Sequence, residues 1–190
     1  RKPSLVDLAR YLREGWHVFV SSVAINIYTT GSTFVVGLLV SAPLLAQYYI
    51  AERCLRAVLS IQGPISQALF PHASVLAARG VDYLVIFNRR VVRAIMPMSF
   101  AMSVLVFLLA DFLISRIFGA DYEMAATLVR VLAPLPVIVA LSNIFGIQTL
   151  IPAGKNREFS FVLVSASIFG LAAILFLASC FGVIGAAIAM

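Results

Sequence analysis

Glu52, Arg53 and Arg56 fall within five residues of AQYYIAERCLRAVLSIQGPISQALFP, residues 46–71, a stretch otherwise apolar enough for a bilayer. A charge at the centre of a spanning helix costs roughly 2.5–3.5 kcal/mol on insertion scales. Such a cluster is tolerated where it faces protein or a watery cavity. Glu52 and Arg56 stand at i, i+4 with the acid first, the favourable order for an ion pair. That pairing leaves Arg53 with spare positive charge. A guanidinium offers a planar fork of donors and stays charged at low dielectric, which suits phosphate. The chemistry on offer is anion recognition. The alternative is a structural triad that locks this helix to its neighbours.

Two polar stripes surround the cluster. Tyr49, Arg53, Arg56, Ser60, Gly63 and Gln67 recur at steps of three and four, so they share one helix face. Ser22, Asn26, Thr30, Thr33 and Gly37 form a matching stripe upstream, flanked by Tyr28 and Thr29. For Asn26 and Thr30, cavity lining and plain helix packing are both open, because small and hydroxyl residues also serve packing in membranes. Gln62, Gln67, Asn143 and Gln148 read first as interhelical hydrogen-bonding groups. Asp111 is a candidate partner for Arg130, which is also placed to reach outward to the interface.

No nucleophile with a readable base, metal-ligand cluster or glycine-rich phosphate loop accompanies these residues. The expectation is therefore no enzyme, no cofactor and no metal. Cys54 and Cys180 read as small buried hydrophobes rather than a disulfide framework. His17 and His72 have no partner at catalytic or ligand spacing.

The elements that hold the stripes are membrane helices. The 190 residues are 62% hydrophobic and 12% charged, where soluble domains average about 25% charged. The net charge of +6 does not indicate nucleic acid, because the basic residues are not interleaved with aromatics on a soluble face. A span needs about 20 apolar residues. Five segments qualify: residues 17–41, 44–78 (interrupted by Gly63, Pro64 and Pro71), 91–118, 125–151 and 159–181. A sixth begins near Val183 and is truncated at 190. Pro64, Pro97, Pro134 and Pro136 fall inside spans, where each removes a helix hydrogen bond. Residues 1–16 form an amphipathic segment expected to lie on the inner membrane surface. The chain starts at Arg1 and stops within an apolar run, so an internal fragment of a longer protein is expected.

All Lys and Arg residues except Arg53, Arg56, Arg116 and Arg130 fall before the first span or in the second-to-third and fourth-to-fifth connections. These lie on one side, which the positive-inside rule makes cytoplasmic. The N-terminal end is then cytoplasmic, and the Glu52 cluster lies in the outer half of its span.

The run VFVSSVAINIYTTGSTFVVGLLV, followed by Tyr48 and Tyr49, AERCLRAV and GPISQALFPHAS, closely resembles the Wzx-type O-antigen and polysaccharide flippases. These belong to the multidrug/oligosaccharidyl-lipid/polysaccharide exporter superfamily. The recognisable part covers about residues 18–74, and the remainder agrees in span number and loop length.

The resemblance implies an all-α polytopic membrane bundle of two six-helix lobes around a central cavity. This chain would be the second lobe, with five complete spans and a truncated sixth. It implies movement of an undecaprenyl-pyrophosphate-linked oligosaccharide across the bacterial inner membrane by alternating access. Arg53 and Arg56 match the family's charged position and would contact the pyrophosphate, with Glu52 setting the local charge. Asn26, Thr30 and Gln62 would hydrogen-bond sugar hydroxyls. Implied partners are the lipid-linked oligosaccharide, membrane lipids, the missing first lobe, and a polysaccharide polymerase with its chain-length protein. The rival readings are a drug exporter or lipid II flippase of the same superfamily, and a membrane enzyme of polysaccharide assembly. The short outer connections disfavour the enzyme.

Overall fold

A computed structural model describes the backbone of residues 5–190, and side chains from Trp16 onward except those of His17, Val18, Ser21 and Ala120. The described chain is helical throughout, without strands. Helix α1 runs Leu5–Leu39, α2 Ala42–Leu59, α3 Gln62–Arg79 and α4 Val81–Phe118. A short 3₁₀ turn at Ala120–Tyr122 leads into α5, Glu123–Leu132, and α6, Leu135–Phe145. A π turn over Gly146–Leu150 then precedes α7, Asn156–Ala189. Among the described residues four stretches are long and apolar enough to cross a membrane: Ser22–Leu39, Val81–Phe118, Glu123–Leu150 and Asn156–Ala189. The all-α membrane bundle expected from composition is present.

The backbone of α1 is one helix across the boundary expected near residue 16. Residues 1–4, and the side chains that would define an amphipathic face through Gly15, lie outside the described residues. His17 falls outside them too.

Proline explains two of the interruptions. Ser60 and Ile61 keep right-handed helical angles, yet α2 ends and α3 begins there. Pro64 has no N–H to return to the Ser60 carbonyl, so the ladder opens one turn upstream of it. Pro134 and Pro136 open the ladder between α5 and α6 in the same way. Pro97, by contrast, sits inside an uninterrupted α4. The charges and amides of α2 and α3 keep them out of the four apolar stretches, although they occupy the expected second span.

Packing follows small residues and apolar faces. α1 lies along α7, where Gly170 sits directly against the Tyr28 ring. α4 packs on α3, α5 and α6, while α2 packs on α5. The core collects Tyr48, Ala51 and Leu55 of α2, Val106, Ala110 and Ile114 of α4, and the buried face of α5. Helix α7 is broken at Gly182, whose φ of 61° is the left-handed region open to glycine. Beyond it Val183, Ala186 and Ala187 are buried in the same core. The segment expected as the start of a sixth span therefore packs into this bundle. Large apolar side chains such as Phe100, Leu108, Phe161 and Phe176 are exposed on the outer surface, as a lipid-facing bundle requires.

Candidate functional site

On α2 the core face presents Tyr48, Ala51, Glu52 and Leu55, and the next face round presents Tyr49, Arg53 and Arg56. The boundary between these faces meets α1. Glu52 is thereby only 2% exposed, although it is a carboxylate within a membrane bundle. Its burial is compensated on both oxygens. Thr33 donates to Oε2 at 3.0 Å, and Arg56 donates to Oε1, with its Nε at 3.2 Å. The i, i+4 ion pair that the spacing predicts is formed, and Arg56 adds a bond from Nη2 to the Thr29 carbonyl at 3.4 Å. One carboxylate thus ties α2 to α1.

Arg53 is held differently. Its Nε and Nη2 both donate to the Tyr49 hydroxyl, at 3.0 and 2.8 Å, and its guanidinium carbon lies 5.3 Å from that ring's centroid. No acidic side chain pairs with it among the described residues. Tyr49 orients one edge of the guanidinium without neutralising it, and the charge stays free on an exposed surface.

These groups share an open cleft of about 970 Å³ between α1 and α2. Thr29, Thr30 and Thr33 supply hydroxyls from one side, and Tyr49, Arg53 and Arg56 line the other. Glu52 and Arg56 cancel, so the local balance is one positive charge beside a row of hydroxyls. An anion with polar substituents suits that surface.

Of the residues singled out in the sequence, the structure brings Glu52, Arg53, Arg56 and Thr30 together. Asn26 lies one turn before Thr30, is exposed, and returns its amide to the Ser22 carbonyl at 2.8 Å. Gln62 is not brought to the cleft. It is buried, donates to the Pro136 carbonyl at 2.9 Å, and lines a small interior pocket with Ser66 and Gln148. Its place is the interhelical one, because Ser60 and Ile61 keep helical angles and Gln62, two turns after buried Leu55, stays on the core face opposite Arg53. Gln148 likewise donates to Ser66, at 2.7 Å to the carbonyl and 3.1 Å to the hydroxyl. Thr33 and Tyr49, which the sequence marked only as stripe members, prove to orient the charges. The signal was their helical register with Thr30 and Arg53. Arg130 pairs with Asp111 across α5 and α4, away from the cleft. Among the described residues there is no metal-ligand cluster.

The geometry is that of an all-helical polytopic membrane bundle whose hydroxyl-lined cleft between two helices carries one unneutralised guanidinium. Residues 1–76 match the family described as polysaccharide biosynthesis proteins. A protein of Escherichia coli strain K12, provisionally named an O-antigen transporter, is 30% identical over 187 residues, which is 98% of this chain and 45% of that protein. A Shigella dysenteriae protein with the same provisional name is 26% identical over 160 residues, 83% of this chain and 39% of its own. These matches support the resemblance of the chain to the Wzx-type membrane proteins of polysaccharide biosynthesis. The chain spans less than half the length of these curated relatives, both named as transporters rather than enzymes. No solved structure matches it significantly.

Proposed function

We propose that the chain forms one lobe of a flippase that carries an undecaprenyl-pyrophosphate-linked oligosaccharide across the bacterial inner membrane by alternating access. The observation that carries this reading is the division of labour in the cleft. Glu52 is satisfied by Arg56 and Thr33, while Arg53 remains an oriented, unneutralised guanidinium beside three threonines. The pyrophosphate would meet Arg53 through the donors Tyr49 leaves free, and sugar hydroxyls would meet Thr29, Thr30 and Thr33. The lipid tail can stay in the bilayer, so the cleft need only shield the charged and polar parts.

Arg53 lies about 17 Å along α2 from Ala42 at 1.5 Å per residue. With the basic connections in the cytoplasm, the Ala42 end is external. Arg53 then serves to draw the pyrophosphate across, or to hold it in the outward-facing state, rather than to capture it first. The proline-opened joint after Leu59 supplies a bend where the lobe can move. A second lobe would close the far side of the cleft, and the polymerase and chain-length proteins would act on the delivered substrate. Arg53→Ala in the full-length protein tests this: surface polysaccharide should be lost while protein level is normal. Normal export at normal level would remove the anion-site argument.

A further inference from the structure

Arg89 and Arg93 stand one turn apart on α4 and line a second groove, of about 410 Å³, between α4 and the end of α6. Val92, Ile144 and Phe145 make its apolar wall. Buried Asn88 stitches the helices there, donating to Thr149 Oγ1 at 2.8 Å and the Gln148 carbonyl at 3.2 Å. The π turn at Gly146–Leu150 is what brings Thr149 round to that amide. None of these residues belongs to the Arg53 cleft.

Neither arginine has an acidic partner among the described residues. Arg90 lies between them, and the acid nearby in sequence is Asp82, in the first turn of α4. Depth adds a second constraint. The 38 residues of α4 span about 57 Å at 1.5 Å per residue, whereas a hydrocarbon core is about 30 Å thick. Residues 94–110 carry no charge and suit that core. Arg89 and Arg93 therefore fall at its edge, level with lipid headgroups, while Phe145, 62% exposed, faces outward beside them.

We propose that this groove holds one anionic phospholipid. Its phosphodiester sits between Arg89 and Arg93, and an acyl chain follows Val92, Ile144 and Phe145 toward the membrane centre. At this depth the bilayer itself is what covers an apolar groove, and two unpaired guanidiniums select its anionic members. Each basic residue close to an anionic headgroup strengthens binding about five-fold, so the pair contributes about thirty-fold. The charge asymmetry of the connections puts the site in the cytoplasmic leaflet, where anionic lipid is available.

Native mass spectrometry of the full-length protein with added phosphatidylglycerol or phosphatidylethanolamine tests the assignment. Phosphatidylglycerol should be retained preferentially. Arg89→Ala with Arg93→Ala should weaken that retention about thirty-fold and leave phosphatidylethanolamine unchanged, while the paired lysine variant keeps most of it. Val92→Trp fills the groove with both arginines intact and should release the lipid too, which keeps the test available if the alanine variant does not fold. Equal retention of both lipids, or undiminished phosphatidylglycerol in either folded variant, would overturn the proposal. Displacement by excess inorganic phosphate would also overturn it, because it would mark a site for the free ion.

Discussion

Replacing Arg56 by alanine strips Glu52 of the cation that neutralises it and leaves Thr33 as its remaining side-chain partner. The carboxylate is 2% exposed, so water cannot take the cation's place without opening the α1–α2 contact. Breaking a buried pair by removing one member costs about 3–5 kcal/mol. Arg56 itself is 52% exposed, which puts the expected loss near the lower end, about 3 kcal/mol. Arg53→Ala removes a stacked contact on an exposed surface, worth about 0.5–1 kcal/mol, and strands no charge. The two substitutions should therefore fail differently. In thermal unfolding of the full-length protein, Arg56→Ala should lower the apparent melting temperature by several degrees, while Arg53→Ala stays close to the parent. In a surface-polysaccharide assay, Arg53→Ala should be inactive at normal protein level. Adding Glu52→Gln to Arg56→Ala removes the stranded charge but keeps an acceptor for Thr33, so most of the stability should return. Equal melting temperatures for the two single variants, or no recovery in the double variant, would refute the idea that Glu52 and Arg56 form a closed pair.

Three further outcomes follow from the packing. A Cβ on Gly170 would lie 2.5 Å from the Tyr28 ring, whereas one on Gly31 would lie at 3.7 Å from Leu171, an ordinary contact. Gly170→Ala should cost about 1–3 kcal/mol and Gly31→Ala close to nothing, read as the difference in melting temperature. Gln148→Leu removes two bonds to Ser66 inside the bundle, for a loss of about 1 kcal/mol on the same measurement. Pro64→Ala restores an N–H able to reach the Ser60 carbonyl and should stiffen the joint between α2 and α3. Polysaccharide export should slow at unchanged protein level, and an unaltered export rate would argue that the joint does not move during transport.

Much of the architecture was legible because a bilayer imposes simple demands. Spans must be long and apolar, and charges inside them must be paired or wet, so the helical segments and the Glu52 cluster stood out by composition and spacing. The i, i+4 geometry also predicted which arginine Glu52 would engage, since that contact lies within one helix and needs no tertiary information. Proline positions marked where helices open but not whether they do. Pro64 and the Pro134–Pro136 pair break their ladders, while Pro97 lies inside an unbroken α4 and Pro71, expected to interrupt its span, inside an unbroken α3.

What lay beyond the sequence is most of the contacts between helices, the Asp111–Arg130 pair excepted. Polar side chains in a membrane look alike whether they face a cleft or a neighbour. The resemblance made both Gln62 and Thr30 sugar contacts; Gln62 instead keeps the interhelical role that its residue type first suggested, bonded to Pro136, while Thr30 lines the cleft. Thr33 became a partner of Glu52 because α1 and α2 cross at that level. Composition and helical periodicity determined that this is a membrane bundle carrying one surplus guanidinium on α2. Tertiary packing alone decided that Thr33 satisfies the second oxygen of Glu52 and which hydroxyls share the cleft, because those depend on how two helices meet rather than on the residues along either one.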